Sequence, residues 1–484
     1  MELGHIFKGY PILDINGSKT IDINKIQHNS NKIEKGDMFI AQRGFIHDGH
    51  NYIQDAINKG AVAVVTEKDI KFSDKVTVIK VENSTDALGY MVDKFYDSPW
   101  EKMNMVGITG TNGKTSISYY LKHIFDTNKN KSGLLGTIGA IIDKEHINLI
   151  NTTPDALEIQ GLLHEMVEKD IEYCCMEISS HALNLKRVKY MEFDIGIFTN
   201  LSQDHLDYHK DMDHYFESKL KLFYKTKKYN VINIDDPYGK KIIDRTGDRI
   251  PYITYGIKEK ADIYATDIEY KRNKLSFILN TPIEKEKITL NMPTEFNIYN
   301  TLASVACGLG FGISINTIKD AMENAPIIKG RFELVPIDRE FNVIIDYAHT
   351  PEGLKSVLKS INDFSCGRKI VVFGAGGDRD KTKRPEMGKI AGQYSDLAIV
   401  TSDNPRTENP DKIIDEVVKG VEKTSVDYVR IRSRKKAIEY AIKTAKPMDT
   451  ILIAGKGHEE YIIIGNKKYS FNERVIVLDT IDKM

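Results

Sequence analysis

The chain has 484 residues, of which 41% are hydrophobic and 28% charged, and its formal net charge is -1. This balance indicates a folded globular protein of about three domains and excludes a disordered chain. The near-neutral charge provides no basic field for nucleic acid, and no segment has the length and apolar character of a membrane span or a cleaved leader. We therefore expect a cytoplasmic monomer with neither nucleic-acid partners nor membrane insertion.

Short apolar segments predict the strands. In the first hundred residues they lie at 38–41 and 61–65, and residues 105–108 predict a buried strand before a Gly-containing turn. Helical spacing after that turn is shown by Ile117, Tyr120, Leu121, Ile124 and Phe125. Later strands are predicted at 173–178, 194–199, 230–234, 343–346, 369–373, 397–400 and 450–453.

Strands that alternate with helical stretches indicate an α/β fold with parallel sheets. We expect three domains. Residues 1–99 would form a small N-terminal α/β domain, and residues 100–330 a central domain whose P-loop-type parallel sheet carries helices on both faces. Residues 331–484 would form a Rossmann-like C-terminal domain.

The strongest local motif lies between the strand at 105–108 and the following helix. It consists of Gly110, Thr111, Asn112, Gly113, Lys114, Thr115 and Ser116. Main-chain N–H groups and the positive end of a helix dipole can hold phosphate oxygens there. Lys114 would approach the terminal phosphates and Thr115 would offer a hydroxyl to Mg²⁺. The first Gly of the usual pattern is replaced by Ile108, so the loop is a variant; a tight turn alone would leave Lys114 and Thr115 unexplained.

The loop GTNGKT is similar to the ATP-binding loop of the Mur ligase family and its folylpolyglutamate synthetase relatives. Further segments follow the family's order: 151–154 (NTTP), 177–183 (EISSHAL), 187–188 (RV), 200–209 (NLSQDHLDYH) and 346–351 (DYAHTP). The resemblance covers nearly the whole chain. It implies an ATP-dependent ligase in which a substrate carboxylate becomes an acyl phosphate that an amine attacks. The substrates implied are UDP-N-acetylmuramoyl-dipeptide and meso-diaminopimelate.

The resemblance also implies the catalytic residues. Thr115, Glu177 and His205 would hold Mg²⁺, and Lys114 would act on the phosphates. Lys219 aligns with a lysine that the family converts to a carbamate with CO₂, which supplies an oxygen ligand for a second cation. From residue types alone, Glu177 and His205 could be surface or capping residues, and Lys219 could be an exposed helix lysine like Lys221.

For the nucleotide base and ribose, the resemblance implies Asn297, Asn300, Arg331 and Asp346. Either asparagine could instead cap a helix, whereas Arg331 is favoured because the third domain must bring a cation to the nucleotide. The UDP-linked dipeptide would contact Ser30, Asn151, Thr152, Thr153, Ser179 and Arg187. The sequence departs from the family pattern in two places. Residues 29–31 read Asn-Ser-Asn where the family usually has Asp-Ser-Arg, and residue 185 is Leu where the family often has Gln.

The segment Asp-Asn-Pro-Arg after the strand at 397–400 resembles that of ligases that take meso-diaminopimelate. This amino acid differs from lysine by a carboxylate on the distal amino carbon, which Arg406 could hold through paired hydrogen bonds. Arg379 would contact a second carboxylate, and Gly455 and Glu459 an ammonium group. The full expected set is Arg379, Asp403, Asn404, Pro405, Arg406, Gly455 and Glu459. Asn404 and Pro405 could also simply form a turn.

Three other functions compete with this interpretation. A lysine-adding ligase of the family would leave Arg406 unpaired, which is costly for a buried charge. A folylpolyglutamate synthetase does not account for the N-terminal unit. A nucleotide-dependent switch protein would have no use for Lys219, Arg379 or Glu459, and would hydrolyse nucleotide without an amino acid.

Overall fold

A computed structural model of the protein describes residues 1–44, 47–70, 76–271, 274–362 and 364–484. The chain forms two compact units. The first comprises residues 1–107, 130–196 and 221–228, and the second comprises residues 108–129, 197–220 and 229–484. Within the described ranges, no helix combines the length and apolar character needed to cross a membrane. The three predicted domain ranges remain a prediction.

The secondary structure alternates between strands and helices along most of the chain. The strands are β1 (Asp14–Asn16), β2 (Ile26–Gln27), β3 (Met38–Ile40), β4 (Ala63–Thr66), β5 (Thr77–Lys80), β6 (Asn104–Thr109), β7 (Ser132–Gly136), β8 (Gly139–Ile142), β9 (Glu145–Ile147), β10 (Tyr173–Glu177), β11 (Phe193–Phe198), β12 (Thr226–Asn233), β13 (Tyr252–Gly256), β14 (Ile263–Lys271), β15 (Lys274–Asn280), β16 (Lys285–Leu290), β17 (Glu333–Leu334), β18 (Asn342–Asp346), β19 (Lys369–Phe373), β20 (Leu397–Val400), β21 (Asp427–Arg430), β22 (Thr450–Ala454), β23 (Tyr461–Ile464) and β24 (Lys467–Ser470). The helices are α1 (Leu3–Ile6), α2 (Ile53–Asn58), α3 (Ser84–Phe95), α4 (Lys114–Thr127), α5 (Ala156–Glu168), α6 (Ser180–Asn184), α7 (Met212–Leu220), α8 (Pro237–Thr246), α9 (Glu295–Gly310), α10 (Ile315–Glu323), α11 (Pro351–Asn362), α12 (Lys383–Tyr394), α13 (Pro410–Val421), α14 (Arg434–Thr444) and α15 (Glu473–Ile481).

The N-terminal sheet has the order β1-β5-β4-β3-β2, in which β2 to β5 are parallel and β1 is antiparallel to β5. Successive residues of a strand point to opposite faces. Met38 and Ile40 therefore pack with α1 and α3, whereas Phe39 packs with α2 on the other face. The expectation of a small α/β layer in this part of the chain is confirmed.

The largest sheet has the strand order β16-β15-β14-β13-β12-β11-β6-β10-β7-β8-β9. The predicted strands at 105–108, 173–178, 194–199 and 230–234 are present as β6, β10, β11 and β12. Pairing is parallel between β7 and β10 and from β12 to β14, but β8 with β9, and β15 with β16, form antiparallel edges. The sheet is thus rich in parallel pairs, as predicted, with antiparallel hairpins at its ends that were not predicted.

The C-terminal sheet has the order β17-β18-β22-β19-β20-β21, and only β17 is antiparallel. Val371 and Phe373 pack against α11, α12 and α13, whereas Ile370 and Val372 pack against α14 and α15. Helices on both faces confirm the Rossmann-like prediction. Because the carboxyl ends of parallel strands meet at one edge, the loops after β18, β19, β20 and β22 lie at the same edge.

Candidate active site

The predicted phosphate loop connects the end of β6 to the start of α4. Gly110 and Gly113 have φ angles of +147° and +88°, a region that side chains with a Cβ atom rarely adopt. A Cβ atom on Gly110 would also collide with Oγ1 of Thr199, and one on Gly113 would lie 2.6 Å from Oδ1 of Asn300. Both glycines are therefore required by conformation and by space, and the loop keeps its main chain open at the N-terminus of α4.

We expect Gly113→Ala to weaken nucleotide binding by about tenfold or more, which corresponds to ~1.4 kcal/mol, because Asn300 must move from its place beside the loop. Isothermal titration calorimetry with ATP would measure this change. Gly312→Ala is the matched control, since Gly312 has a similar φ of +76° but no atom within 4 Å of an added Cβ. The control should lose only ~1–2 kcal/mol of folding free energy from backbone strain. Equal ATP affinity in wild type and Gly113→Ala would contradict the assignment of this loop.

Lys114, Thr115 and Ser116 form the first turn of α4. The Lys114 ammonium donates to the carbonyl oxygens of Gly110 and Thr111, both at 2.9 Å, so it lies across the loop. The Thr115 hydroxyl accepts a hydrogen bond from Nη2 of Arg331 at 2.9 Å. Ser116 is buried beside it. Arg331 therefore lies at the predicted phosphate loop.

Arg331 is held by aromatic stacking and by a fixed main chain. Its guanidinium lies 4.6 Å from the centre of the Tyr347 ring. Asp346, at the end of β18, accepts from the N–H groups of Phe332 at 2.6 Å and Ala348 at 2.7 Å. Within the described chain, the buried Nε of Arg331 has no hydrogen-bond partner. A buried donor of this kind suits an anionic ligand.

The two asparagines predicted for the nucleotide lie inside α9. The residue that precedes this helix is Thr294, so neither Asn297 nor Asn300 is its N-cap. Oδ1 of Asn297 accepts from Tyr120 at 3.1 Å and from Nδ2 of Asn300 at 3.3 Å. This leaves Oδ1 of Asn300 beside Gly113, on the wall of the phosphate loop.

Lys219 is a buried amine against the same loop. It is 2% exposed, donates to the Gly110 carbonyl at 2.8 Å and lies 4.6 Å from the centre of the Tyr215 ring. Burial lowers its pKa well below the usual value, the charge of Lys114 lowers it further, and Asp204 opposes the shift. The exposed-lysine alternative is wrong for this position, and burial shifts the amine toward its neutral form.

Asp204 lies among three basic side chains, of which only His205 was assigned a role from the sequence. Its carboxylate lies 3.4 Å from His205, 3.8 Å from His349 and 3.7 Å from Lys383. Burial alone would raise the pKa of Asp204, but these neighbours outweigh it and hold the pKa well below its usual range. Asp204 and His349 lie within recognised motifs, so their sequence signal was present, whereas nothing marked Lys383.

The segment that carries His205 contacts the loop that carries Arg379. Nε2 of Gln203 donates to Asp380 at 3.0 Å and to Thr382 at 3.1 Å. Arg379 lies 3.8 Å from Asp207, and its side chain is 46% exposed. The structure therefore brings the predicted amino-acid-binding Arg379 next to the predicted metal-binding segment.

Glu177 ends β10 and is completely buried. Its carboxylate accepts hydrogen bonds from the main-chain N–H and from the hydroxyl of Thr137, both at 2.9 Å. The Thr137 hydroxyl also lies 3.1 Å from that of Thr152. A Cβ atom on Gly136 would collide with the Glu177 side chain, so the glycine makes room for it. Thr137 was not predicted, because a single threonine after a strand carries no distinctive signal.

Four residues predicted for the UDP-linked substrate form a network around Thr153. Its hydroxyl donates to the Glu177 carbonyl at 2.8 Å and accepts from the Ser179 N–H at 3.0 Å, and its carbonyl accepts from Arg187 at 2.6 Å. The Thr152 hydroxyl contacts the Thr137 hydroxyl, which in turn donates to the carboxylate of Glu177.

Two further residues predicted for that substrate lie outside this network. Asn151 is exposed in the bend before Thr152. Ser30 lies in a 3-10 helix (Ser30–Lys32), where its carbonyl accepts from Lys59 at 3.1 Å.

The predicted amino-acid residues converge after β20. Nδ2 of Asn404 donates to Glu459 at 2.9 Å, and Nη1 of Arg406 donates to the Gly377 carbonyl at 2.7 Å. A Cβ atom on Gly455 would lie 2.8 Å from Asp403. The remaining member of the loop, Pro405, is buried. Burial lowers the pKa of Arg406, and so does nearby Arg379. The segment therefore places the Arg406 guanidinium near the carboxylates of Asp403 and Glu459.

Among the described residues, no three His, Cys, Asp or Glu side chains converge as a metal cage. Mg²⁺ commonly uses one or two protein groups together with phosphate oxygens. The Thr115 hydroxyl and the open main chain of the phosphate loop fit that mode of binding.

Sequence profiles of the Mur ligase family match three parts of the chain. They are the Mur ligase family catalytic domain at residues 22–96, the Mur ligase middle domain at 108–308, and the Mur ligase glutamate ligase domain at 330–457.

Individual proteins are similar over the whole length. UDP-N-acetylmuramoyl-L-alanyl-D-glutamate--2,6-diaminopimelate ligase of Clostridioides difficile (strain 630) is 45% identical, with 100% of each chain covered. A solved structure of a ligase with that name superposes with a TM-score of 0.71 at 28% identity and covers 100% of this chain and 99% of its own. MurF ligase from Thermotoga maritima in complex with ADP has the same fold, with a TM-score of 0.65 at 18% identity, and covers 95% and 97%. This chain belongs to the Mur ligase family.

Proposed function

We propose that the chain is an ATP-dependent ligase that joins meso-diaminopimelate to UDP-N-acetylmuramoyl-L-alanyl-D-glutamate in peptidoglycan precursor synthesis. The 45% identical relative carries this activity in its name. The observation that carries the proposal is the loop at residues 403–406, which holds Arg406 near Arg379 and Asn404 against Glu459. Guanidinium groups beside a carboxylate complement the carboxylates and ammonium groups of a diamino diacid.

ATP is proposed to bind at the phosphate loop. The N–H groups of residues 110–113 and the N-terminus of α4 would hold phosphate oxygens. The Lys114 ammonium, which now lies on two loop carbonyls, would turn to the terminal phosphates. Arg331 would approach from the other side through its unpartnered Nε, and Asn297, Asn300 and Asp346 would shape the base and ribose site.

Thr115, Glu177 and His205 are the proposed Mg²⁺ ligands. When bound, the cation would offset the repulsion between the triphosphate and the substrate carboxylate. The chain's own contribution is to keep these donors in place. Glu177 is fixed by Thr137, and His205 follows Asp204, whose carboxylate faces its ring at 3.4 Å.

Lys219 is proposed to carry a CO₂-derived carbamate. Its buried amine, once deprotonated, can attack CO₂, forming a C–N bond and releasing one proton, so that the side chain becomes an anion. One N–H remains and can still donate to the Gly110 carbonyl, which now accepts from Nζ at 2.8 Å. When present, the carbamate would supply oxygen ligands for a second hard cation.

The UDP-linked dipeptide is proposed to bind at the Thr153 network, with Thr152, Ser179 and Arg187, and at Asn151 and Ser30. The side chains of His28 and Asp155 lie 3.4 Å apart. This contact brings the segment that contains Ser30 next to the segment that contains Thr153. We also propose a cytoplasmic, monomeric enzyme with three domains and small-molecule substrates.

The decisive experiment is phosphate release from ATP by the purified protein. We expect release only when the UDP-linked dipeptide and meso-diaminopimelate are both present, and a slower reaction by about 10²-fold or more with lysine. Omission of each substrate in turn is the control. Release of phosphate without any amino acid would favour the switch protein, and equal turnover with lysine would favour the lysine-adding ligase.

A further inference from the structure

Lys456, in the loop after β22, has a fully buried ammonium group that contacts the loop at residues 403–406. Its side chain is 0% exposed. Nζ donates to Oδ1 of Asn404 at 3.0 Å and to Oε2 of Glu459 at 2.9 Å. A buried ammonium is costly unless it is paired, and here both partners belong to the proposed amino-acid site.

The carboxylates of this site already face protein cations. Glu459 is paired with Lys456. Asp403 lies 3.7 Å from Arg434, and although burial would raise the pKa of Asp403, Lys456 and Arg434 hold it below its usual value. An ammonium group that enters the site therefore has to share Glu459 with Lys456. Arg434 is divided between Asp403 and Glu473, the latter at 2.6 Å.

The arginines of the site are less completely paired with carboxylates than Lys456 is. Arg406 donates to the neutral Gly377 carbonyl, and its pKa is lowered by burial and by Arg379. Arg379 has Asp207 at 3.8 Å, but its side chain is 46% exposed, so this pair contributes little. Asp378 is exposed and accepts hydrogen bonds from Thr407. Arg406 can therefore still pair with a carboxylate of the substrate.

We propose that Lys456 is a specificity-determining residue, because it makes the amino-acid site require an ammonium group accompanied by a carboxylate. The inference rests on the proposed function. A distal group with both charges brings an anion to Arg406 while its ammonium shares Glu459 with Lys456. Lysine brings a second ammonium to the same carboxylate without an anion, and like charges in a partly buried site repel strongly.

The test is the variant Lys456→Met, which removes the charge and nearly keeps the volume. Folding should survive because both acceptors retain a partner: Asn404 Oδ1 accepts from the Ile463 N–H at 2.9 Å, and Glu459 Oε2 from Asn404 at 2.9 Å. We expect the ratio of kcat/KM for meso-diaminopimelate to that for lysine to fall by about tenfold or more, chiefly through faster use of lysine. KM for ATP should not change.

Lys468→Met is the matched control. Lys468 is exposed and lies 4.2 Å from the centre of the Tyr461 ring, and Lys456 lies 5.7 Å from the same ring. The substrate ratio of this variant should equal that of wild type. An unchanged ratio in a folded Lys456→Met variant, or an equal fall in Lys468→Met, would overturn the role of Lys456.

Glu459→Gln provides a second test should Lys456→Met fail to fold. It leaves the Lys456 ammonium without its anion, so KM should rise for both amino acids and lysine should gain nothing; a gain for lysine would overturn the inference. Wild-type protein that is inactive with meso-diaminopimelate would contradict the proposed function itself. Wild-type and Lys456→Met proteins that are equally selective would contradict only the inference about Lys456.

Discussion

Replacement of Lys219 by Met is expected to lower kcat by about 10²-fold to 10³-fold while the protein remains folded. The variant keeps the buried volume but lacks the amine that would react with CO₂ and carry an anion beside the phosphate loop. Steady-state phosphate release measures the loss. Lys221→Met is the matched control, because Lys221 is exposed one residue beyond α7 and should retain wild-type kcat.

Stability measurements separate this loss from a folding defect. The folded-state pKa of Lys219 is lowered from 10.5, so between that lowered value and 10.5 the unfolded chain binds more protons than the folded one. Wild-type stability therefore rises with pH through this window. In CO₂-free buffer, the Met variant should be more stable than wild type at neutral pH, and its advantage should shrink as the pH approaches 10.5. A variant that is less stable at neutral pH would contradict the buried-amine assignment.

Chemical rescue tests the carbamate itself. Lys219→Ala leaves space beside Gly110 and Tyr215, and formate or acetate could place a carboxylate there. We expect part of the lost kcat to return with either anion and none to return with chloride at equal ionic strength. Failure of both carboxylates to increase kcat, in a variant that melts as wild type does, would argue against an anion at this position.

The sequence predicted the core strands because each is a short, continuous apolar segment. The strands at 369–373 and 397–400 are found with the predicted bounds, as β19 and β20. Strand β16 was missed because it carries the exposed lysines Lys285 and Lys287. Such strands have one solvent-facing side and no continuous apolar signal.

The site could be predicted where a motif fixes the main chain, as at Gly110 and Gly113. The charge cluster around Asp204 could not, because it joins residues 204, 349 and 383 from distant parts of the chain. Burial was equally invisible: the sequence could not distinguish Lys219 from exposed Lys221. Tertiary packing alone decides which of two neighbouring lysines is buried, and burial lowers the pKa of its amine.

Replacement of Arg406 by Met is expected to reduce kcat/KM for meso-diaminopimelate roughly 30-fold to several thousandfold. This corresponds to a loss of about 2–5 kcal/mol of transition-state stabilisation. The guanidinium would otherwise hold the carboxylate that lysine lacks, so kcat/KM for lysine should change little. Arg406→Lys should be intermediate, since an ammonium keeps the charge but not the paired hydrogen bonds.

The backbone conformation of Arg406 limits which substitutions can be compared with the wild type. Its φ is +50°, its N–H donates to the Ile463 carbonyl at 3.1 Å, and its carbonyl accepts from Gly465 at 2.8 Å. Met and Lys are unbranched at Cβ, as Arg is, so all three bear a similar backbone strain. Arg432→Met, at a 65% exposed arginine that pairs with Asp411, is the control and should behave as wild type. If Arg406→Met kept the wild-type preference for meso-diaminopimelate over lysine, the distal carboxylate would have to be recognised elsewhere, and the proposed amino-acid site would be wrong.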